Sequence, residues 1–169
     1  MSEHLIPFAP ADSERVRTFA GSELFKRTFV EGMSLVEETA AYLDGPGRDE
    51  AKALPSKAAL AYAGESMRLT TRLMQVASWL LIQRAVHEGE MAVEEAAAPK
   101  FRLGAREVCL GTALDGAENL PLALQLLLER SEGLYRRVDR MDSGLYASEG
   151  PAEDALMRLQ RLQAAFGQA

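Results

Sequence analysis

Residues Pro55 to Glu88 read PSKAALAYAGESMRLTTRLMQVASWLLIQRAVHE, and this segment decides the fold. It has no internal proline, and Gly64 is its only glycine. Small or apolar residues recur along it in alternating steps of three and four, which places them on one face of a helix. They are Leu60, Ala63, Met67, Thr70, Met74, Ala77 and Leu81. The spacing predicts one long helix with this face in the core.

A second apolar line runs along a neighbouring face of the same helix, at Leu69, Leu73, Val76 and Leu80. From Leu73 to Ile82 the two lines merge, so that apolar residues surround most of the helix. A helix at the surface of a small domain needs only one apolar stripe. We therefore expect this helix to be central in the fold, or to be covered on its second side by another chain.

Two other long helices are predicted on either side of this segment. Ser22 suits the N-cap of the first, which should stop at LDGPGR, residues Leu43–Arg48, because of its glycines and proline. The last begins near Asn119 and closes before Gly144, with a four-three alternation typical of an antiparallel bundle partner. No strand pattern is evident. The sequence predicts an all-α protein, an antiparallel three-helix bundle.

The chain divides into a helical domain, residues 1–147, and a short flexible C-terminal tail, residues 148–169. The tail opens with SEGPAED, whose composition is typical of a solvated linker. Four later residues would share one face of an amphipathic helix: Leu156, Leu159, Leu162 and Phe166. Such a helix is too short to be stable alone in water. We therefore predict that these four residues bind a groove on a partner, with folding back onto the bundle as the alternative.

Composition excludes several classes of protein. The net charge of −6 argues against general nucleic-acid binding, which requires clustered Lys and Arg. The first residues lack the basic region and long apolar run of a secretory signal. No stretch of about 18 residues is free of charged or polar interruption, so no membrane insertion is expected. With one cysteine, no intrachain disulfide is possible. These features favour a cytoplasmic protein.

Groups that could carry out catalysis are scarce. A nucleophile pair of Cys109 and His87 would require hydrogen-bond contact between them, whereas a cysteine within an apolar VCL run is typical of packing. The sequence contains no CxxC, no HExxH and no glycine-rich phosphate loop. We predict no enzyme activity, no metal and no cofactor. The alternative is a small-molecule-binding or enzymatic helical bundle with a pocket near Cys109 and His87.

The polar side of the long helix carries a further stripe at helical spacing: Glu65, Arg68, Arg72, Gln75, Trp79 and Gln83. Its two arginines are like charges four positions apart, which is unfavourable unless a carboxylate meets them. Trp and Arg are enriched at interface hot spots. The residues predicted to bind a partner are Arg68, Arg72, Gln75 and Trp79. In the alternative, Trp79 packs against residues 100–119, and the two arginines pair with Glu37 or Glu38.

Three segments of the chain resemble one known family. The close matches are LVEETAAYLDGPGR, residues 35–48, and ALAYAGESMRLTTRLMQVASWLLIQRAVHEGEM, residues 59–91; FRLGAREVCLGTALDGAENLP, residues 101–121, matches more loosely. The sequence resembles the alphaproteobacterial RcdA family, the regulators of CtrA degradation. The resemblance implies a three-helix bundle that forms a homodimer and acts as a non-enzymatic adaptor.

The resemblance also implies partners. Proteins of this family join a ClpXP protease primed by a response regulator, and they help deliver cell-cycle regulatory proteins for degradation. Cyclic di-GMP controls this delivery through another adaptor, and the C-terminal segment is implicated in contact with the primed protease. The expected location is the cytoplasm, with recruitment to a cell pole. A DNA-binding regulator is a third hypothesis, which the acidic charge disfavours.

Overall fold

The computed structural model describes residues 10–146 and Gln160, with side chains from Ser13 onward. These residues form seven α-helices and no strand, which confirms the predicted all-α class. The helices are α1 Pro10–Ala20, α2 Glu23–Asp44, α3 Pro46–Lys52, α4 Ser56–His87, α5 Val93–Ala96, α6 Arg106–Cys109 and α7 Leu122–Tyr146. Three of them are long, and four shorter helices accompany them. The predicted tail lies outside the described residues, apart from Gln160.

Local capping signals set the ends of α2. The hydroxyl oxygen of Ser22 accepts a hydrogen bond from the backbone N–H of Phe25 at 3.2 Å, as predicted for an N-cap. The helix ends at Asp44. Pro46 then opens the short helix α3, because proline suits the first turn of a helix. The Tyr42 hydroxyl donates to the Glu50 carboxylate at 2.7 Å and so ties α3 to α2.

Helices α4 and α7 run parallel to each other. Arg72 donates to the hydroxyl of Ser131, and further along both helices Tyr146 donates to the side chain of Gln83. The predicted antiparallel arrangement is wrong for this pair. The apolar spacing of α7 fixes its inner face but not its direction. Direction is set by residues 88–121, a segment called here the connector, which returns the chain along α4 to the start of that helix.

Helix α2 runs antiparallel to α7, as predicted. The ion pairs Glu31–Arg137 and Glu38–Arg130 occur in opposite order along the two helices. These pairs are about half exposed, so they contribute little to stability individually.

Close contact between α2 and α4 depends on a glycine. A Cβ atom at Gly32 would lie 2.8 Å from Cδ1 of Leu80, so that either the Leu80 side chain or one of the two helices would have to shift. Leu80 belongs to the second apolar line of α4, and this line packs in the main core. The buried members of the line are Leu69, Leu73, Val76 and Leu80.

The first apolar line of α4 lies on the outside of the molecule. Leu60, Met67, Met74 and Leu81 are exposed by 76, 72, 65 and 51% respectively. The prediction that this face forms the core is wrong, because α2, α7 and the connector all contact the other sides of α4. The spacing of apolar residues identifies both lines, but it does not indicate which of them is buried. Within the described part of the chain, no helix is long and apolar enough to cross a membrane.

Candidate partner-binding surface

The polar stripe of α4 holds the connector in place. Oε1 of Glu65 accepts the backbone N–H of Leu114 at 2.8 Å, and Oε1 of Gln75 accepts that of Gly104 at 2.9 Å. The connector has little regular structure over this stretch. Buried backbone N–H groups require hydrogen-bond partners, and the side chains of α4 supply them.

Arg68 donates hydrogen bonds to backbone carbonyl groups of the connector. Its guanidinium donates to the carbonyl oxygens of Gly111 at 2.5 Å and Thr112 at 2.6 Å. Its Nε lies 3.6 Å from Oε2 of Glu65, one turn earlier on α4. This carboxylate offsets the repulsion between the two arginines of the stripe.

Arg72 is buried at the centre of the stripe, with 2% of its surface exposed. Its Nε donates to the carbonyl oxygen of Cys109 at 2.6 Å, and Nη1 donates to Leu128 O at 3.1 Å and Ser131 Oγ at 3.3 Å. Nη2 lies 3.4 Å from the Glu132 carboxylate. Burial lowers the pKa of the guanidinium from its ordinary value, although Glu132 opposes that shift. Arg72 therefore joins α4, the connector and α7.

Trp79 is 1% exposed and is fixed by a buried carboxylate. Its Nε1–H donates to Asp142 of α7 at 2.8 Å, and Arg102 of the connector donates to the same carboxylate at 2.8 and 3.0 Å. The Arg102 guanidinium also lies over the Tyr146 ring, 5.1 Å from its centroid. Burial raises the pKa of Tyr146 to about 12, so its hydroxyl stays protonated and donates to Gln83.

The stripe predicted to bind a partner is thus internal framework. Arg72 and Trp79 are buried, and Arg68 and Gln75 are half-buried against connector backbone. Arg72 and Trp79 expose almost no surface to a partner, and the polar groups of all four side chains are engaged within the folded chain. A partner contact by Arg68 and Gln75 stays a prediction.

The alternative places Trp79 against residues 100–119 and pairs the arginines with Glu37 or Glu38. Instead, Trp79 contacts Asp142 and Phe19, and the arginines meet Glu65 and Glu132. The sequence signal for these contacts was the combination of hydrogen-bonding side chains along α4 and the glycines at positions 104, 111 and 116 of the connector.

The surface that remains available is the outward face of α4, defined by exposed uncharged residues. They are Leu60, Ala63, Met67, Thr70, Met74 and Leu81. Between Lys57 and Arg84, every charged residue of α4 belongs to the internal stripe. The Thr70 hydroxyl donates to its own helix, to Ser66 O at 2.9 Å, and so offers little to water. An exposed apolar patch of this length is typical of a protein-interaction site.

Comparison with known proteins identifies the family. A family model described as "Protein of unknown function (DUF1465)" matches residues 16–166. Among solved structures, the crystal structure of RcdA from Caulobacter crescentus CB15 is 56% identical in sequence, with a TM-score of 0.63. The match covers 79% of this chain and 99% of that chain. The chain belongs to the RcdA family. The comparison with curated proteins finds no match.

In this member of the RcdA family, Cys109 and His87 do not form a site. Cys109 packs at the level of Arg72, and His87 lies fifteen positions further along α4, about 22 Å by the rise of a helix. Two surface clefts, of about 530 and 220 Å³, are lined by neither residue. The described residues contain no cluster of three or more His, Cys, Asp or Glu that could hold a metal. A pocket shared by Cys109 and His87 is therefore ruled out by their separation.

Cys109 should resist alkylation in the folded protein. Its side chain is fully buried, so a reagent cannot reach the sulfur. Burial also raises the pKa of the thiol, which disfavours the reactive thiolate. Iodoacetamide should label it only after denaturation, as followed by mass spectrometry. A Ser34→Cys variant, exposed on α2, is the control that should react in the native state. Rapid labelling of native Cys109 would restore the reactive-thiol hypothesis.

Proposed function

We propose that this protein is a non-enzymatic adaptor that helps deliver cell-cycle regulatory proteins to the ClpXP protease, together with a response-regulator co-adaptor. The observation that carries the proposal is its 56% identity to RcdA over 99% of the crystallised chain. The proposed partners also include a second copy of the chain and a cyclic di-GMP-responsive adaptor. The proposed location is the cytoplasm, with recruitment to a cell pole. An adaptor acts by binding substrate and protease at once, which raises their effective concentration.

Two features of the described residues support an adaptor. The outward face of α4 offers uncharged apolar side chains to a protein partner, as hydrophobic interface cores do. The polar groups of α4 that could have carried chemistry are instead engaged with backbone and with structural ion pairs. The outward face of α4 is therefore available for binding a protein, and the polar groups of α4 stabilise the fold.

A reconstituted degradation reaction tests the proposal. Purified ClpXP, the primed response regulator and a candidate cell-cycle substrate are incubated with and without this protein, and substrate loss is followed over time. We expect faster degradation only when this protein is present, with saturation as its concentration rises. The protein added without ClpXP should leave the substrate intact. Degradation that proceeds at the same rate without it would contradict the adaptor role.

The C-terminal tail should be required for delivery. Deleting every residue after Gly150 should leave a folded protein that still binds substrate, since the core lies within α1 to α7. Delivery should fall to the level seen without adaptor, because the apolar residues of the tail are proposed to enter a groove on the primed protease.

Matched tail variants give the control for this experiment. Leu159→Glu with Leu162→Glu places charge on the proposed binding face and should reproduce the deletion. Ala164→Glu with Gln168→Glu adds the same charge at positions on the opposite side of that helix and should retain delivery. Full delivery by the truncated protein would remove the docking role of the tail.

A further inference from the structure

A surface cleft lies between α1 and the end of α7. Its volume is about 530 Å³, and it is lined by Glu14, Arg15, Thr18, Phe19 and Leu145. Clefts of about 300–1,000 Å³ are large enough to bury a compact ligand. Phe19 and Leu145 are apolar and only half-buried, so both keep surface that a binding partner would remove from water. The cleft therefore offers an apolar contact surface with polar groups beside it.

The walls of this cleft are held in place by the rest of the fold. The Phe19 ring packs against the Phe25 ring at 5.8 Å and the Trp79 ring at 6.2 Å, between centroids. Arg15 donates to the carbonyl oxygen of Gly144 at 2.8 Å and so ties α1 to the end of α7. Because the cleft is formed in advance, a partner pays little to order it.

The chain itself supplies a segment that fits the cleft. Helix α7 ends at Tyr146, next to Leu145 in the cleft wall. The linker that follows, residues 148–154, spans about 25 Å when extended, which is enough to bring the tail back along α1. A tail helix from Leu156 to Phe166 is about 15 Å long, and the eleven residues of α1 span about 16 Å. The described residue of the tail, Gln160, is helical and exposed, as expected for a position off the apolar face.

We propose that the tail binds the α1–α7 cleft of its own chain through its apolar face. The residues of that face are Leu156, Leu159, Leu162 and Phe166. The contact buries the exposed surface of Phe19 and Leu145, and packing stabilises a helix that is too short to be stable alone in water. Arg158 borders the apolar face of this helix, and Glu14 in the cleft wall offers it a carboxylate. Because both partners belong to one chain, their effective concentration is high.

This contact competes with the proposed contact between the tail and the primed protease. The same four apolar residues are proposed to enter a groove on the protease, so a tail that is bound in the cleft is not available to it. The competition rests on the proposed adaptor function, whereas the contact with the cleft does not. When only a fraction of the molecules is competent to bind, the apparent affinity falls by that fraction. Release of the tail from the cleft should therefore raise the affinity for the primed protease.

Hydrogen exchange of the full-length protein, followed by mass spectrometry, tests the contact with the cleft. We expect the amides of residues 156–166 to exchange at least about tenfold more slowly in wild-type protein than in the Leu159→Glu with Leu162→Glu variant, because a docked helix must open before it exchanges. Thr18→Arg fills the cleft from its wall and should cause the same loss of protection in the tail. Ser34→Arg makes a matched change at an exposed position of α2 and should leave the protection unchanged.

A control in the tail and two rival occupants complete this experiment. Ala164→Glu with Gln168→Glu should keep the protection, since these positions lie on the opposite side of the tail helix. Tail amides that exchange equally fast in all of these proteins would overturn the proposal. Protection of residues 1–9 in place of the tail would assign the cleft to the N-terminal segment, and protection that falls on dilution would assign it to the tail of a second copy. Either result would also overturn the proposal.

Affinity for the primed protease separates this inference from the adaptor role. Thr18→Arg should bind ClpXP with its response regulator about two- to tenfold more tightly than wild-type protein does, since its tail is released. Unchanged affinity, with protection of the tail lost, would overturn the competition and leave the adaptor role intact. Absence of binding and delivery by both proteins, with the wild-type tail protected, would contradict the adaptor role and support the contact with the cleft.

Discussion

Trp79→Ala should lower the free energy of unfolding by about 3–5 kcal/mol, the range for truncating a large buried aromatic residue. The change removes a ring that is 1% exposed and packs 6.2 Å from the Phe19 ring, between centroids. It also takes one hydrogen-bond donor from the buried carboxylate of Asp142. Urea denaturation at one fixed protein concentration is the suitable measurement, because the proposed dimerisation would couple stability to concentration.

Two companion variants separate the ring from its N–H group. Trp79→Phe keeps most of the packing and removes only the donor to Asp142, so we expect a loss of about 1–3 kcal/mol. Ser34→Ala changes an exposed residue of α2, away from the outward face of α4, and should alter stability by less than about 0.5 kcal/mol. If Trp79→Ala kept its stability and lost affinity for a partner, the structural role of this tryptophan would be wrong.

Glutamate should have opposite consequences on the two sides of α4. Leu80→Glu should prevent folding, because Leu80 is fully buried against Gly32 and an unpaired carboxylate there has no hydrogen-bond partner. The cost of such a charge is several kcal/mol, comparable with the total stability of a domain, about 5–15 kcal/mol. Met67→Glu should leave the helical content unchanged, since Met67 is 72% exposed.

The second variant should instead affect assembly. If the proposed homodimer forms through the outward face of α4, each glutamate would be buried against the second copy, so the dimer should dissociate to a folded monomer. Circular dichroism reports the fold of both variants, and sedimentation reports their assembly. A folded Leu80→Glu protein would contradict the assignment of the core face. A stable Met67→Glu dimer would exclude the outward face as the interface.

Helix ends were predictable because they depend on neighbouring residues. A serine N-cap, a glycine with proline, and a proline at the first turn mark the limits of α2 and the start of α4. Ser22 caps α2, Gly45 follows its end, and α4 begins just after Pro55, all as the sequence indicates. The short helices α3 and α6 were not predicted.

The orientation of α4 was not predictable from its periodicity. Both apolar lines repeat at helical spacing, and which one is buried depends on where α2 crosses. Gly32 contributes to the close approach at this crossing, because its missing side chain leaves room for Leu80. The sequence around a glycine inside a helix does not indicate which neighbouring side chain will pack against it. The other line, which includes Met67 and Met74, therefore lies on the outward face.

The contacts of the polar stripe were not predicted, because the groups that Arg68 and Gln75 meet are backbone groups of the connector. Carbonyl and N–H groups of the connector have no residue-specific signature, so the sequence shows Arg68 and Gln75 without their hydrogen-bond partners. Enrichment of Trp and Arg at interfaces then favours a partner surface. The tail residues Leu156, Leu159, Leu162 and Phe166 lie outside the described residues, and their role stays a prediction.

The anchoring of Tyr146 has a mechanical consequence for an adaptor held by its tail. An unfoldase that pulls on residues after Tyr146 applies force directly to the end of α7. There the hydroxyl of Tyr146 is bonded to Gln83, and its ring lies under Arg102. Contacts between α7 and α4 are spread along both helices, so tension directed along the axis of α7 would shear it against α4. Shear loads several contacts together, so this geometry favours a domain that stays folded while its cargo is unfolded.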